Sequence, residues 1–261
     1  MLSRIFTAIL VSVVVTSSVI LILPGSWLPF LSLDTLHRAP SLAQRGATVA
    51  TTPLEIVPIS LRTREYWMRE AVTALHGLVS PCPFAAFGTV IVNHTSPDDL
   101  GDPICIGANA MSSTGNPTLH GEIAAINNCT AVLTDPKGIY KLSPAEVIAA
   151  WKDLTLYTTA EPCPMCATAI RWAGFRECVF GTSIETLIRM GWGQIDLPSS
   201  EIFERSDALG TKTRLLQDVL AKETDPYFAW QFDGAATCPV DCERDSGAGT
   251  CVPTADNEVD L

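Results

Sequence analysis

The chain has 261 residues, 47% of them hydrophobic, enough for one large domain or two small ones with a sizeable buried core. Its formal charge is −11 and no basic run appears, which argues against a protein that grips nucleic acid through its phosphates but leaves room for a small base or nucleoside as ligand. Nine cysteines are many for a cytosolic chain of this size.

Ile5 to Leu23 is mostly apolar and uncharged, preceded by Arg4 and ended by Pro24-Gly25. Residues 1–24 therefore read as a targeting segment. It exceeds the usual ~7–15-residue signal core and can just cross a ~30 Å hydrocarbon layer, and no A-x-A site follows it directly. A long cleaved signal peptide and an uncleaved membrane anchor both stay open. Residues 25–60 form a linker: Leu31 to Pro58 mixes Pro, Ser, Thr, Ala and Arg without periodicity. The sequons Asn93-His94-Thr95 and Asn128-Cys129-Thr130, with the cysteine count, point to a secreted or membrane-anchored glycoprotein whose domain is extracytoplasmic.

Thr63 to Leu78 has helical spacing, with Tyr66, Met68, Ala71, Val72, Leu75 and Leu78 on one stripe. Ala86 to Val92 is short, apolar and β-branched, a buried strand, and Ile104 to Met111 is a second one. The loop Ser112 to Pro117 leads into a helix for which Thr118 is the expected N-cap, with His120 and Glu122 in its first turn. Ser143-Pro144-Ala145-Glu146 is a capping box that opens a short helix to about Trp151. Leu154 to Thr158 is the next strand. Glu161-Pro162-Cys163 then turns into a helix to about Trp172, followed by a strand at Glu177 to Gly181 and a helix at Ile184 to Met190. The order αββα(α)βαβα gives an α/β sheet with helices on both faces. Glu201 to Lys222 again has helical spacing, and Tyr227 to Phe232 is an aromatic run that finishes the core or covers a site mouth. Residues 234–261 form a cysteine-containing tail; its Cys238, Cys242 and Cys251 have no histidine nearby, which favours disulfides over a second metal.

Chemistry concentrates at two places, His120-Gly121-Glu122 and Pro162-Cys163-Pro164-Met165-Cys166. An imidazole and two thiolates are good zinc ligands, and three protein ligands leave open the position a catalytic site needs. Cys163 and Cys166, at i and i+3 of a helix start, share one face, and the helix dipole there favours thiolate. A lone His is more often structural and a lone C-x-x-C more often a disulfide or redox pair, but neither gives Glu122 a purpose. The seven other cysteines are Cys82, Cys105, Cys129, Cys178, Cys238, Cys242 and Cys251; seven is odd, so at most three disulfides form and one thiol is left.

Three stretches carry a resemblance: Ala86 to Val92 followed by Asn109, then Pro117 to Ile126, then Leu156 to Cys166. With the pattern H-x-E…P-C-x-x-C they resemble the cytidine and deoxycytidylate deaminase superfamily, and most of all its guanine deaminase and tRNA adenosine deaminase branch. The resemblance covers about Thr63 to Met190, within a catalytic domain spanning 61–233. It implies a three-layer α/β/α sandwich around a five-stranded mixed sheet. It implies zinc held by His120, Cys163 and Cys166, Glu122 as proton shuttle, and Asn109 as a substrate-binding residue. Phe84 and Trp172 are candidates for holding the base, or are simply core. By the same analogy a homodimer is expected. Gly121 stands where the family commonly has Ala, Ala86 where it usually has Pro, and the two metal motifs lie 43 positions apart, a wide spacing that the Ser143 helix accounts for as an insertion.

The expected function is zinc-dependent hydrolytic deamination of a nucleobase or nucleoside, guanine-like first and adenosine- or cytosine-type second. A tRNA-editing enzyme is the rival within the class; a non-catalytic secreted zinc-binding protein is the rival outside it.

Overall fold

The computed structural model describes residues 58–95, 100–247 and 249–254. The apolar segment, nearly all of the linker, part of the expected turn at Asp98 to Pro103, and residues 255–261 lie outside the described residues. Among the described residues, no helix is long and apolar enough to cross a membrane.

Five strands form the main sheet: β1 (Gly88–Asn93), β2 (Asp102–Ala108), β3 (Leu154–Ala160), β4 (Glu177–Thr182) and β5 (Arg214–Leu216), in the order β2-β1-β3-β4-β5. β1 runs antiparallel to both β2 and β3, whereas β3, β4 and β5 are parallel, so the sheet is mixed as expected. Every residue of β3 and β4 is buried, because helices cover both faces. The alternation of side chains across the strands divides the core. On one face Ile91, Leu156 and Cys178 pack against Ala125, Cys129 and Leu133 of α3 (Gly121–Thr134) and Ala167 and Ile170 of α5 (Pro164–Ala173). On the other, Val90, Val92, Tyr157 and Val179 meet Trp67, Met68 and Ala71 of α1 (Leu61–Leu78). The result is a three-layer α/β/α sandwich.

α1 starts at Leu61 because Ser60 caps it, its hydroxyl accepting from Thr63 N at 3.0 Å. A one-turn helix, α2 (Met111–Thr114), takes the end of the expected second strand. The capping box opens α4 (Pro144–Ala150) as read from the sequence, with Ser143 and Glu146 satisfying each other's backbone. α6 (Ile184–Arg189) and α7 (Ser199–Arg205) follow β4.

The helix expected over Glu201 to Lys222 is not there. α7 stops at Arg205, β5 occupies the middle of that stretch, and only the short α8 (Ala221–Thr224) follows. The cause lies on another element. The guanidinium of Arg171 on α5, 2% exposed, donates to Ser206 Oγ (2.6 Å), Ser206 O (3.1 Å), Thr211 O (2.8 Å) and Thr213 Oγ1 (2.9 Å). Those bonds hold the chain in a turn where a helix would need its own carbonyls. The chain leaves that turn as an edge strand.

The tail adds α9 (Pro226–Ala229) and a two-stranded hairpin, β6 (Cys242–Arg244) with β7 (Cys251–Pro253). Three disulfides form: Cys82–Cys242, Cys105–Cys129 and Cys238–Cys251. Cys242 thus ties the tail to the body, and Cys105–Cys129 staples β2 to α3. Cys178 is the thiol left over, buried on β4. Of the sequon residues, Asn128 is exposed on α3 with Nδ2 donating to Ile106 O (2.9 Å), and Asn93 ends β1.

Candidate active site

One end of the sheet gathers the candidate site residues. β3 runs out at Ala160, and Glu161-Pro162-Cys163 turns into α5 with Cys163 as N-cap and Pro164 in the first turn, where its missing N–H costs nothing. α3 begins beside it. Its N-cap is His120, not Thr118 as the sequence suggested. The Thr118 N–H and hydroxyl are both spent on Asn116 Oδ1, at 3.0 and 2.8 Å, in a local turn that precedes the helix. Glu122 remains in the first helical turn.

α3 lies unusually close to the sheet. A Cβ on Gly107 of β2 would collide with the backbone N of Ala125, and one on Gly121 with the carbonyl oxygen of Phe87. Gly121 is therefore needed by this backbone, and Ala at that position would push His120 and Glu122 outward. The same Phe87 carbonyl accepts from Asn109 N at 3.0 Å, which joins the end of β2 to the start of α3. Asn109 is half-buried; its Oδ1 accepts from Met111 N (3.0 Å), leaving Nδ2 without a partner among the described residues.

His120 Nδ1 stands 3.5 Å from Cys163 Sγ and 3.6 Å from Cys166 Sγ. Zinc–sulfur and zinc–nitrogen bonds of about 2.3 and 2.0–2.1 Å at a tetrahedral angle put N and S about 3.6 Å apart. The three donor atoms all lie within 4.8 Å of one another, and these residues are the metal-ligating group found among the described residues. The donor chemistry agrees. The Cys166 thiol, with the His120 ring, holds Cys163 down to about 4, in the thiolate form that binds metal. The same sulfur–sulfur contact, with burial, pushes Cys166 far above the usual thiol range. A cation between the sulfurs is what would let both be thiolates. These residues fit a zinc ion.

Glu122 is 3% exposed and lies against the Cys166 thiol. Burial pushes its carboxyl up to about 7, where a carboxyl can both accept and return a proton near neutral pH. Trp172, by contrast, stands in solvent, 73% exposed. A groove of about 430 Å³ between α1 and the β1–β2 pair, lined by Trp67, Ala74, Val90 and Ile106, contains none of the donor residues.

Glu161 is a residue whose role the sequence did not disclose. Its buried carboxylate accepts from Ile184 N (2.8 Å), Ser199 N (2.7 Å) and Ser199 Oγ (2.8 Å). It thereby pins the starts of α6 and α7 to the turn that carries Cys163. A buried acid directly before Pro-Cys was the available signal; its partners are 23 and 38 positions away. Hydrogen bonds to a charged group contribute about 1.5–3 kcal/mol each and are not additive. Glu161→Ala is expected to lower stability in urea unfolding by about 3 kcal/mol or more, and to speed zinc loss to a chelator.

Comparison with known proteins bears on this geometry. Residues 61–182 match the family model of the cytidine and deoxycytidylate deaminase zinc-binding region. The chain is 28% identical over 173 residues to guanine deaminase from Bacillus subtilis, covering 64% of this chain and 93% of that one. It is 31% identical over 133 residues to a probable cytosine deaminase from Schizosaccharomyces pombe, covering 51% and 68%. A tRNA-specific adenosine deaminase from Streptococcus pyogenes is 30% identical over 127 residues, covering 49% and 67%.

Proposed function

This chain belongs to the cytidine and deoxycytidylate deaminase superfamily, and we propose that it is a zinc-dependent hydrolase that releases ammonia from a nucleobase or nucleoside. A guanine-like base is the first substrate proposed, with adenosine- and cytosine-type compounds second. The observation that carries the proposal is the convergence of His120, Cys163 and Cys166 at zinc-compatible separations, with the buried Glu122 against them.

His120 Nδ1 and the two Sγ atoms would hold the ion. Zinc bound there supplies a Lewis acid that makes water a competent nucleophile near neutral pH. The protein's part is proton movement and orientation. Glu122 takes a proton from the attacking water as its oxygen bonds the amino-bearing ring carbon. Glu122 then gives that proton to the adjacent ring nitrogen, takes the remaining proton from the hydroxyl now on the ring carbon and passes it to the amine, so that the C–N bond breaks, ammonia leaves and the carbon keeps its oxygen as a carbonyl. Asn109 is the residue proposed to fix the base: with its Oδ1 accepting from Met111 N, its Nδ2 is the group that would donate to a ring substituent. A net charge of −11 favours a small substrate over a tRNA, whose phosphates it would repel. Guanine, adenosine, cytosine and cytidine are to be incubated with the zinc-loaded protein and the products separated by chromatography. Conversion of one of them to its oxo product is expected; zinc-loaded, folded protein that converts none would favour the non-catalytic reading.

We further propose an oxidising, extracytoplasmic location, supported by the three disulfides. Peptide mapping of protein from its native host should recover Cys82–Cys242, Cys105–Cys129 and Cys238–Cys251, with Cys163, Cys166 and Cys178 unlinked. All nine cysteines reduced would contradict the proposal.

A further inference from the structure

α3 carries His120 at its N-cap and Glu122 in its first turn, so the seat of the whole helix on the sheet decides where both groups stand. The face it lays on the sheet is the buried stripe Glu122, Ala125 and Cys129, spaced to share one side of a helix. Opposite that stripe lie Cys105 and Gly107, alternate residues of β2 that face the same side of the sheet.

Near the candidate site this seam is smooth. Gly107 has no side chain, and a Cβ there would strike Ala125 N and come within 2.7 Å of Gly121 O. Ala125 adds only a methyl group. Such a seam brings two backbones close, but no ridge of one sits in a groove of the other, so nothing in it resists a slide of α3 along β2. The stop lies further down the helix. Cys129 is bonded to Cys105, and the neighbouring Asn128 donates from Nδ2 to the carbonyl of Ile106 at 2.9 Å. Two adjacent residues of α3 are thus tied to two adjacent residues of β2. Asn128 is exposed, so water competes for its hydrogen bond. The crosslink is covalent and buried, with Cys105 6% and Cys129 0% exposed. It lies about two turns, or about 10 Å, along α3 from Glu122.

We propose that Cys105–Cys129 is a positioning crosslink: it fixes the register of α3 on β2 and so holds His120 and Glu122 where they meet Cys163 and Cys166. The effect on catalysis rests on the deaminase reading above; the effect on metal binding rests on the three donor atoms alone. A shift of about 1 Å can cost on the order of 10²-fold in rate. Loosening the groups that support a ligand costs about 10–100-fold in metal affinity.

The test uses full-length, oxidised protein. Zinc affinity is read by competition with a chelator, and kcat and KM are measured on whichever of guanine, adenosine and cytosine the parent turns over best. Cys105→Ala/Cys129→Ala should bind zinc about tenfold more weakly or worse, and lose about tenfold or more in kcat with KM within about twofold. Cys238→Ala/Cys251→Ala removes a crosslink of the tail and is the control for lost stability alone. At a temperature where every variant is folded, it should keep the parent's zinc affinity and kcat. Cys105→Ala/Cys129→Val refills volume without restoring the bond; it should regain melting temperature but not zinc affinity. Unchanged zinc affinity without the crosslink, equal weakening in the tail variant, or full recovery on refilling overturns the positioning role. Should neither crosslink-free variant fold, the crosslink is a condition of folding and the positioning role falls as well. A parent that binds zinc and deaminates nothing sinks the deaminase reading, and the zinc comparison still decides the crosslink; an active parent whose zinc affinity and kcat ignore the crosslink does the reverse.

Discussion

Glu122→Gln is expected to abolish turnover while leaving the fold and the zinc in place. The amide has the carboxylate's size and can still hydrogen-bond a water, but it cannot accept that water's proton or deliver one to the ring. General acid–base catalysis typically contributes ~10²–10⁴-fold, and here a single group serves several transfers, so a loss of about 10⁴-fold in kcat or more is expected. Stability should not fall. The carboxyl is 3% exposed, and an amide of the same size keeps the packing around it. Ammonia release, bound zinc and the urea midpoint, measured on the same preparation, check this. Near-normal turnover with normal zinc would show that Glu122 is not the proton shuttle.

Cys163→Ser is the second large effect, and it should differ in kind. Cys163 is the N-cap of α5, and serine is among the best N-cap residues, so the helix start itself should tolerate the change. What is lost is a thiolate ligand 3.5 Å from His120 Nδ1. Changing groups that merely support a ligand costs about 10–100-fold in metal affinity; removing a ligand should cost more. The variant is expected to come off a column with little zinc, to be inactive, and to melt well below the parent unless zinc is added in excess. Competition with a chelator of known affinity measures the first effect and calorimetry the last. Full zinc occupancy in Cys163→Ser would remove that residue from the ligand set.

The contrast between these two variants mirrors what the chain discloses locally and what it does not. His120, Glu122, Cys163 and Cys166 are legible because metal ligation and proton transfer call for particular side chains at short spacings within each of two helix starts; that the sheet brings those two starts together, 43 positions apart, is not local. The alternation of buried strands and the Ser143 capping box are legible because they too are local. Most of the misses involve partners far along the chain. The helical spacing over Glu201 to Lys222 is real, but Arg171 on α5 claims Ser206, Thr211 and Thr213 and turns the segment into the fifth strand. Thr118 looks like a cap until Asn116 takes its hydroxyl. The cysteine count limits the disulfides to three without saying which, and the pairing of Cys82 with Cys242, 160 positions apart, depends on where the tail returns to the body. Glu161 sits in plain view inside the metal motif, yet its work is done on Ile184 and Ser199.

The most direct test of zinc-dependent deamination is reversible metal removal on the protein's best substrate. Oxidised protein is stripped with a chelator, assayed for ammonia release, and then titrated with zinc. The expected result is loss of release on stripping and recovery that saturates at one zinc per chain. Release that survives complete removal of the metal, or a chain that takes up one zinc and releases no ammonia from any base or nucleoside offered, would contradict the account.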